Sequence, residues 1–307
     1  MRSLVHARLP RGGLGNKLLV WARATVFGAL NKLPVVTTGW ADVRIGPLLR
    51  RERFKRYYFG YFRRQRPLQL VRLLCSYAVS SRITEPALQV REATSKSLLY
   101  VFRELPRYPN YFDGLRDYRG LIKDSLWNMT SPSVLGEALK SPAPVIGVHV
   151  RRSDFREQAP GELPGAETNV RTPSEYFIRS IRLVREISGG DLAVTVYTDA
   201  HPEELRDLLA LGNVAISSSS NALSDLISLS RSRCLILSHG STFGYWAGFL
   251  ADVPVIVPYP LISPIRPAEI NARYYEGVAQ ESALLVQNIK AIPQESVRAK
   301  RNQGGSR

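Results

Sequence analysis

Three clusters in the chain have the residue types and spacing to hold a diphosphate. The first is His149-Val150-Arg151-Arg152-Ser153-Asp154. Two adjacent arginines present forked N–H donors to a pyrophosphate, Asp154 can orient one guanidinium, and His149 can bond a base or a phosphate. A structural Arg–Asp pair at a strand edge uses the same residues. The second is Ser238-His239-Gly240-Ser241-Thr242-Phe243. Gly240 allows close approach, and the N–H groups of Ser241, Thr242 and Phe243 at a helix start form an anion site. Taken alone, the cluster is better explained by plain N-capping by Ser241 or Thr242. Asp225, one helix upstream, fits either a nucleobase contact or a helix cap. The third is Gly12-Gly13-Leu14-Gly15-Asn16. It is neither a Walker loop nor a dinucleotide fingerprint, since no glycine stands three residues after Gly15. It lets backbone approach a phosphate or sugar, with Asn16 supplying an amide, or it makes a tight strand-to-helix turn.

The elements that position these clusters are visible in the hydrophobic pattern. Residues 4–9 alternate and 14–30 are rich in Leu, Ala, Val and Trp without proline, which predicts strand, glycine turn and buried helix. Residues 42–140 are punctuated by Pro47, Pro67, Pro86, Pro106 and Pro109 among short helical patterns. From residue 142 the pattern sharpens. Residues 145–150 are β-branched and end at Arg151-Arg152, which predicts a buried parallel strand finishing at a functional edge. A polar loop to about 171 follows, then a helix over 173–187 with Thr172 as its N-cap. Strands over 192–197, 213–216, 234–237 and 253–257 alternate with helices opening at 201, 223 and 242. That alternation predicts an α/β fold with a doubly wound parallel sheet. The expected domains are 1–140, 141–275, and a C-terminal helix and basic tail over 276–307.

Composition limits the function classes. At 307 residues and 44% hydrophobic, the chain can bury a sizeable core. No run has the length of a signal peptide's apolar segment or a membrane span. Cys75 and Cys234 lack disulfide-framework or zinc spacing, so a reducing cytoplasm is expected. The net charge of +16 is concentrated: residues 44–66 hold nine Lys/Arg against Glu52, and the tail 290–307 holds five against Glu295. A nucleic-acid-binding α/β protein is the reading from another class. Because the excess is local, no nucleic acid is expected. Residues 50–66 interleave arginines with aromatics, a pattern that suits an anionic membrane surface, a nucleic acid, or a solvated helix face packing its aromatics inward. The tail reads as disordered.

The three clusters, in this order, resemble the α-1,2-fucosyltransferase family. Its blocks correspond here to Gly12-Gly13-Leu14-Gly15-Asn16, to His149 through Asp154, and to Ser241-Thr242-Phe243 followed by aromatics. The strand end Val196-Tyr197-Thr198-Asp199 is similar as well. The resemblance covers about residues 10–258 in separate blocks. α-1,6- and protein O-fucosyltransferases share the arginine block. The resemblance implies a GT-B fold of two Rossmann-like domains facing a cleft, GDP-fucose as donor, and a galactose-containing glycan as acceptor in an α-1,2 linkage. Another GDP-sugar or another fucosyl linkage is the near alternative. It also implies that Arg151 holds the β-phosphate, that His149 and Asp225 recognise guanine, and that Ser241, Thr242 and Phe243 bind phosphate or ribose. Arg152 belongs to the donor site, and Gly13, Gly15 and Asn16 close it from the other domain. The chain departs from the family at His239-Gly240, where Asn is usual, and at Lys17, where Gln is usual.

The chain contains no Asp-x-Asp, the spacing by which many transferases hold a divalent cation against diphosphate, so a reaction without metal is expected. Arginine and backbone donors then stabilise the leaving GDP. Asp154, Glu157, Glu162 and Glu167 are the candidate bases for an inverting displacement.

Overall fold

Leu4–Arg8 (β1) has four consecutive buried residues, and Leu14–Leu30 (α1) buries twelve of its residues, so both start a core that neither can complete alone. The computed structural model describes residues 3–41, 58–90, 96–163, 165 and 168–293. The chain divides into two compact units, Met1–Ile45 with Lys55–Leu135, and Gly46–Phe54 with Gly136–Arg307.

In the first unit α1 stops at Asn31, and Lys32 adopts a left-handed backbone (φ 51°) before Val35–Thr38 (β2). Gly28 makes this return possible: a Cβ there would stand 2.3 Å from Val35 Cγ2. Pro67–Val79 (α2) begins with its proline at the first turn, where the missing N–H costs nothing. Ser81–Thr84 (β3) and Leu98–Phe102 (β4) complete a parallel sheet of order β2-β1-β4-β3. Leu4, Val36, Leu73, Leu99 and Val101 form one core cluster. The proline-punctuated stretch therefore contains strands as well as helices. β3 is exposed at the sheet edge, and the five-residue run of β4 has no periodicity that separates strand from helix. Arg119–Met129 (α3) follows, and Pro132–Lys140 (α4) carries the chain past Leu135.

The second unit contains Ile146–Val150 (β5), Ser174–Ser188 (α5), Val194–Thr198 (β6), Arg206–Leu209 (α6), Val214–Ile216 (β7) and Ala222–Ser230 (α7). Cys234–Leu237 (β8), Thr242–Leu250 (α8), Val255–Val257 (β9), Ala268–Asn271 (α9), Glu276–Val278 (β10) and Ala283–Lys290 (α10) complete it. Every strand pair is parallel, in the order β10-β9-β8-β5-β6-β7. All five residues of β5 are buried, as expected of a central strand covered on both faces. From β5 the chain builds outward through β6 and β7, then returns to the other side of β5 through β8. The point where that order reverses lies between β5 and β8, where open α/β sheets bind ligands.

Two local expectations are corrected. Residues 202–205 form a 3₁₀ turn ahead of the short α6, with His201 N–H donating to Glu204, in place of one continuous helix. Thr172 does not cap α5; Pro173 occupies the N-cap position, and the Thr172 hydroxyl accepts the His239 N–H at 2.9 Å.

Candidate anion-binding site at the strand ends

His149 and Leu237 are partners in the β5–β8 register, so the arginine block and the Ser238–Phe243 turn emerge side by side from the sheet. Ser238 clasps them. Its buried hydroxyl donates to the His149 carbonyl at 2.9 Å and accepts the Arg151 N–H at 2.9 Å. The His149 ring stacks on Phe243 with centroids 5.2 Å apart and 26° between planes. Room for the ring comes from Gly244, where a Cβ would stand 2.8 Å from His149 Nδ1. Burial, and secondly the Arg151 charge, lower the His149 pKa to about 3, so the imidazole is neutral at physiological pH. Nδ1 is buried with no hydrogen-bond partner among the described residues. Such an atom costs about 1–3 kcal/mol.

Arg151 is held by two carboxylates. Its Nη2 lies 2.5 Å from Asp154 Oδ1, and its Nη1 lies 2.6 Å from Asp199 Oδ2. The other Asp199 oxygen accepts the Arg152 N–H at 2.8 Å. The ring of Phe155 lies under the Arg151 guanidinium at 5.5 Å. Arg151 remains partly open to solvent, its side chain 19% exposed. Arg152 differs. It is buried, its Nη1 donates to the Thr172 carbonyl at 2.7 Å, and its Nη2 donates to Ser174 Oγ at 3.0 Å. Its fork ties β5 to the start of α5, so the two adjacent arginines take different tasks.

At the other side of the crevice Ser241 occupies the N-cap position of α8 without a side-chain capping bond. The Tyr245 N–H is bonded back to the Ser241 carbonyl at 3.0 Å, and the N–H groups of Thr242, Phe243 and Gly244 precede it in the first turn. This is the positive end of a nine-residue helix whose first turn packs on His149. Gly240 has φ +65°, and a Cβ there would lie 2.2 Å from the Thr168 carbonyl, so glycine lets Thr168 lie against the turn. Its N–H donates to the Tyr245 hydroxyl at 3.0 Å. His239 is buried, edge-on to Tyr259 at 5.2 Å, with its pKa lowered by burial. Gln158, Glu162, Arg171 and Tyr259 line a recess beside it.

The structure thus gathers His149, Arg151, Asp154, Ser241, Thr242 and Phe243 around one strand-end crevice. Asp225 is placed with Ser217 and Tyr197, on the β6–β7 side; it is buried in the first turn of α7 and accepts from Ser217 Oγ at 2.5 Å. The capping role belongs to Asn221, whose side chain accepts the Ser224 N–H at 2.8 Å. Among the candidate bases, Glu162 is gripped by Arg156 at 2.6 and 2.7 Å, and that bond first lowers its pKa to about 2. Glu157 pairs with Arg171 at 2.8 Å with its side chain 78% exposed. Glu167 lies outside the described residues. Asp199, Ser238 and Gly244 had no role assigned in the sequence; the signal for Asp199 was its place at the β6 end.

The third cluster belongs to the first unit. Gly13 sits at the N-cap of α1 with φ −64°, and a Cβ there would meet nothing within 4 Å. Neither backbone nor packing therefore demands glycine. Gly15 is buried and Asn16 half-buried in the first turn of α1. Lys17 is fully buried, with Nζ donating to the carbonyls of Pro10, at 3.0 Å, and Gly39. It bridges the loops that leave β1 and β2. Among the described residues, no group of three or more His, Cys, Asp or Glu is placed to hold a metal ion. No described helix is long and apolar enough to cross a membrane.

No protein-family model matches the chain, and no curated protein sequence matches it. In structure the chain is similar to the alpha-1,6-fucosyltransferase NodZ of Bradyrhizobium soaked with GDP-fucose, at 16% identity over 82% of this chain and 94% of that one, with a TM-score of 0.50. It is also similar to a mutant of Arabidopsis thaliana FUT1 in complex with GDP, at 14% identity over 88% of this chain and 72% of that one, with a TM-score of 0.50. At this identity the likeness establishes the fold. The chain is a GT-B-like α/β protein built on parallel sheets.

Proposed function

We propose that the chain is an inverting glycosyltransferase that moves fucose from GDP-fucose to a hydroxyl of a galactose-containing glycan, in an α-1,2 linkage. The observation that carries the reading is Arg151, held by Asp154 and Asp199 at the switch point and tied through its N–H to Ser238, at the head of the turn that leads into α8. The GDP-fucose and GDP named with the two similar structures support the donor.

Breakage of the bond between the sugar C1 and the β-phosphate oxygen leaves the electron pair on GDP. Negative charge grows there while the sugar gains oxocarbenium character. Arg151 and the N–H groups of Phe243 and Gly244 are fixed before the reaction, so they meet this charge without reorganising. These donors supply the neutralisation that a divalent cation supplies elsewhere, so the proposed reaction runs without metal. Neutral His149 adds no charge beside the nucleotide. The acceptor oxygen forms the new bond to C1 from the opposite face. Its proton passes to Asp154, the candidate carboxylate that touches Arg151 and whose side chain is 34% exposed. Capture of the nucleotide oxygens by Arg151 loosens the Arg151–Asp154 pair and frees Asp154 for this task.

The test is incubation with GDP-fucose and lactose, with the product linkage read by nuclear magnetic resonance. A 2-O-fucosylated galactose of α configuration supports the reading. Fucose attached elsewhere moves the chain to another fucosyl linkage, and transfer from GDP-mannose alone replaces the donor.

A further inference from the structure

α2 is built inside out. Its inward stripe is narrow and partly polar: Leu73 joins the core, Ser76 Oγ donates to the Arg72 carbonyl, and the Tyr77 hydroxyl bonds His6 Nδ1 at 2.7 Å. At 100° per residue, Leu68, Val71, Leu74, Cys75, Ala78 and Val79 fall on the opposite side, within an arc of about 140°. They are exposed; Leu68 is 77%, Leu74 70% and Val79 70% open to solvent. A contiguous apolar face on a surface helix marks an interaction site.

The charge around it selects the partner. Residues 58–84 carry Arg63, Arg64, Arg66, Arg72 and Arg82 and no acid. The next acid, Glu85, is paired with Arg23 at 2.8 Å. A second copy of this chain would set these arginines against one another. A nucleic acid would use the arginines and leave the leucines in water. The interface of an anionic bilayer takes both, apolar side chains into the acyl boundary and guanidinium groups onto the headgroup phosphates. Thirteen residues make a helix of about 20 Å, short of the ~30 Å hydrocarbon core, so α2 lies along the surface. Of the aromatics interleaved with the preceding arginines, Tyr58 and Phe62 are buried, while Phe59 is 74% exposed. Residues 50–57 lie outside the described residues.

We propose that α2 docks the protein on an anionic lipid surface, with Val71 and Leu74 in the acyl boundary and Arg63, Arg64 and Arg66 on the headgroups. The test is flotation of the full chain with phosphatidylcholine vesicles, with or without phosphatidylglycerol, beside the variants Val71→Ser/Leu74→Ser and Arg64→Glu. These side chains are exposed, so circular dichroism should confirm native folding. The wild type is expected to float with the phosphatidylglycerol vesicles and not with phosphatidylcholine alone. Either variant should weaken that partition by about tenfold or more. Three results would overturn the proposal: no flotation of the wild type, flotation untouched by Val71→Ser/Leu74→Ser, or a sedimenting dimer that this variant dissolves while vesicles are ignored.

Discussion

Asp199 holds Arg151 and the residue after it at once: one carboxylate oxygen pairs with Arg151 Nη1 at 2.6 Å and the other accepts the Arg152 N–H at 2.8 Å. The guanidinium is therefore aimed by β6, the neighbouring strand. Replacing Asp199 by Asn keeps an acceptor for the Arg152 N–H and removes the negative charge that pairs with Arg151. kcat is expected to fall about tenfold, with native circular dichroism. Arg151→Ala should lower kcat by about 10²–10³ and also lower the melting temperature, since it leaves Asp154 and Asp199 without their cation. Arg151→Lys keeps the charge and loses the fork, so it should recover more stability than turnover. Steady-state kinetics and thermal melts separate these outcomes.

Three glycines have different reasons to be glycine. Gly240→Ala meets both a positive φ and the Thr168 carbonyl, and should cost stability by about 1–3 kcal/mol or more. Gly244→Ala presses on His149 Nδ1 and should raise the donor KM more than it lowers stability. Gly13→Ala meets nothing within 4 Å, so melting should be unchanged, while KM rises if its open side faces a ligand. Melting temperature and KM measured together distinguish the three.

Acid should destabilise the fold above the range in which carboxylates titrate. His149 and His6 are lowered to about 3 and about 4, in both cases chiefly by burial. The folded chain keeps them neutral while the unfolded chain protonates near 6.5, so their contribution is present above about pH 6.5 and is lost as pH falls. Each contributes a slope of about 1.4 kcal/mol per pH unit between about 6.5 and its folded value. Urea unfolding at pH 7 and pH 5 reads this loss. His149→Gln should flatten the slope, and an unchanged slope in that variant would contradict the burial account.

Transfer is expected to survive EDTA, because Arg151 and the α8 first turn provide the neutralisation. Turnover before and after chelation, with and without added magnesium, checks this. Restoration by magnesium of activity lost to EDTA would assign that task to a cation.

Five strands of the second unit, β5 to β9, were legible because they are short apolar runs that end at polar motifs, as at Val148 to Arg151 and Leu237 to Gly240; β10, Glu276–Val278, was not, because it is three half-buried residues with one β-branched side chain where a C-terminal helix was expected. The first unit was less legible. β3 is an exposed edge with one half-buried apolar residue, and α2 carries its apolar residues outward, so neither has the period that burial normally imposes. Within the site, residue types revealed which groups can bind an anion and not how they divide the work. That Arg152 braces α5 while Arg151 faces the crevice depends on the Thr172 carbonyl and Ser174, twenty and twenty-two residues away. Asn221 takes the cap that Asp225 could have filled, and this too is a matter of backbone geometry that composition does not encode.

The central claim is that the crevice between β5 and β8 binds a guanosine diphosphate sugar. Thermal melting of the full chain with GDP, GDP-fucose, GDP-mannose and UDP tests it most directly, because a ligand at about a hundred times its Kd stabilises by about 2.7 kcal/mol. GDP and GDP-fucose are expected to raise the melting temperature by several degrees, with GDP-fucose above GDP-mannose, and Arg151→Ala should abolish the rise. A rise with UDP and none with GDP would contradict the account.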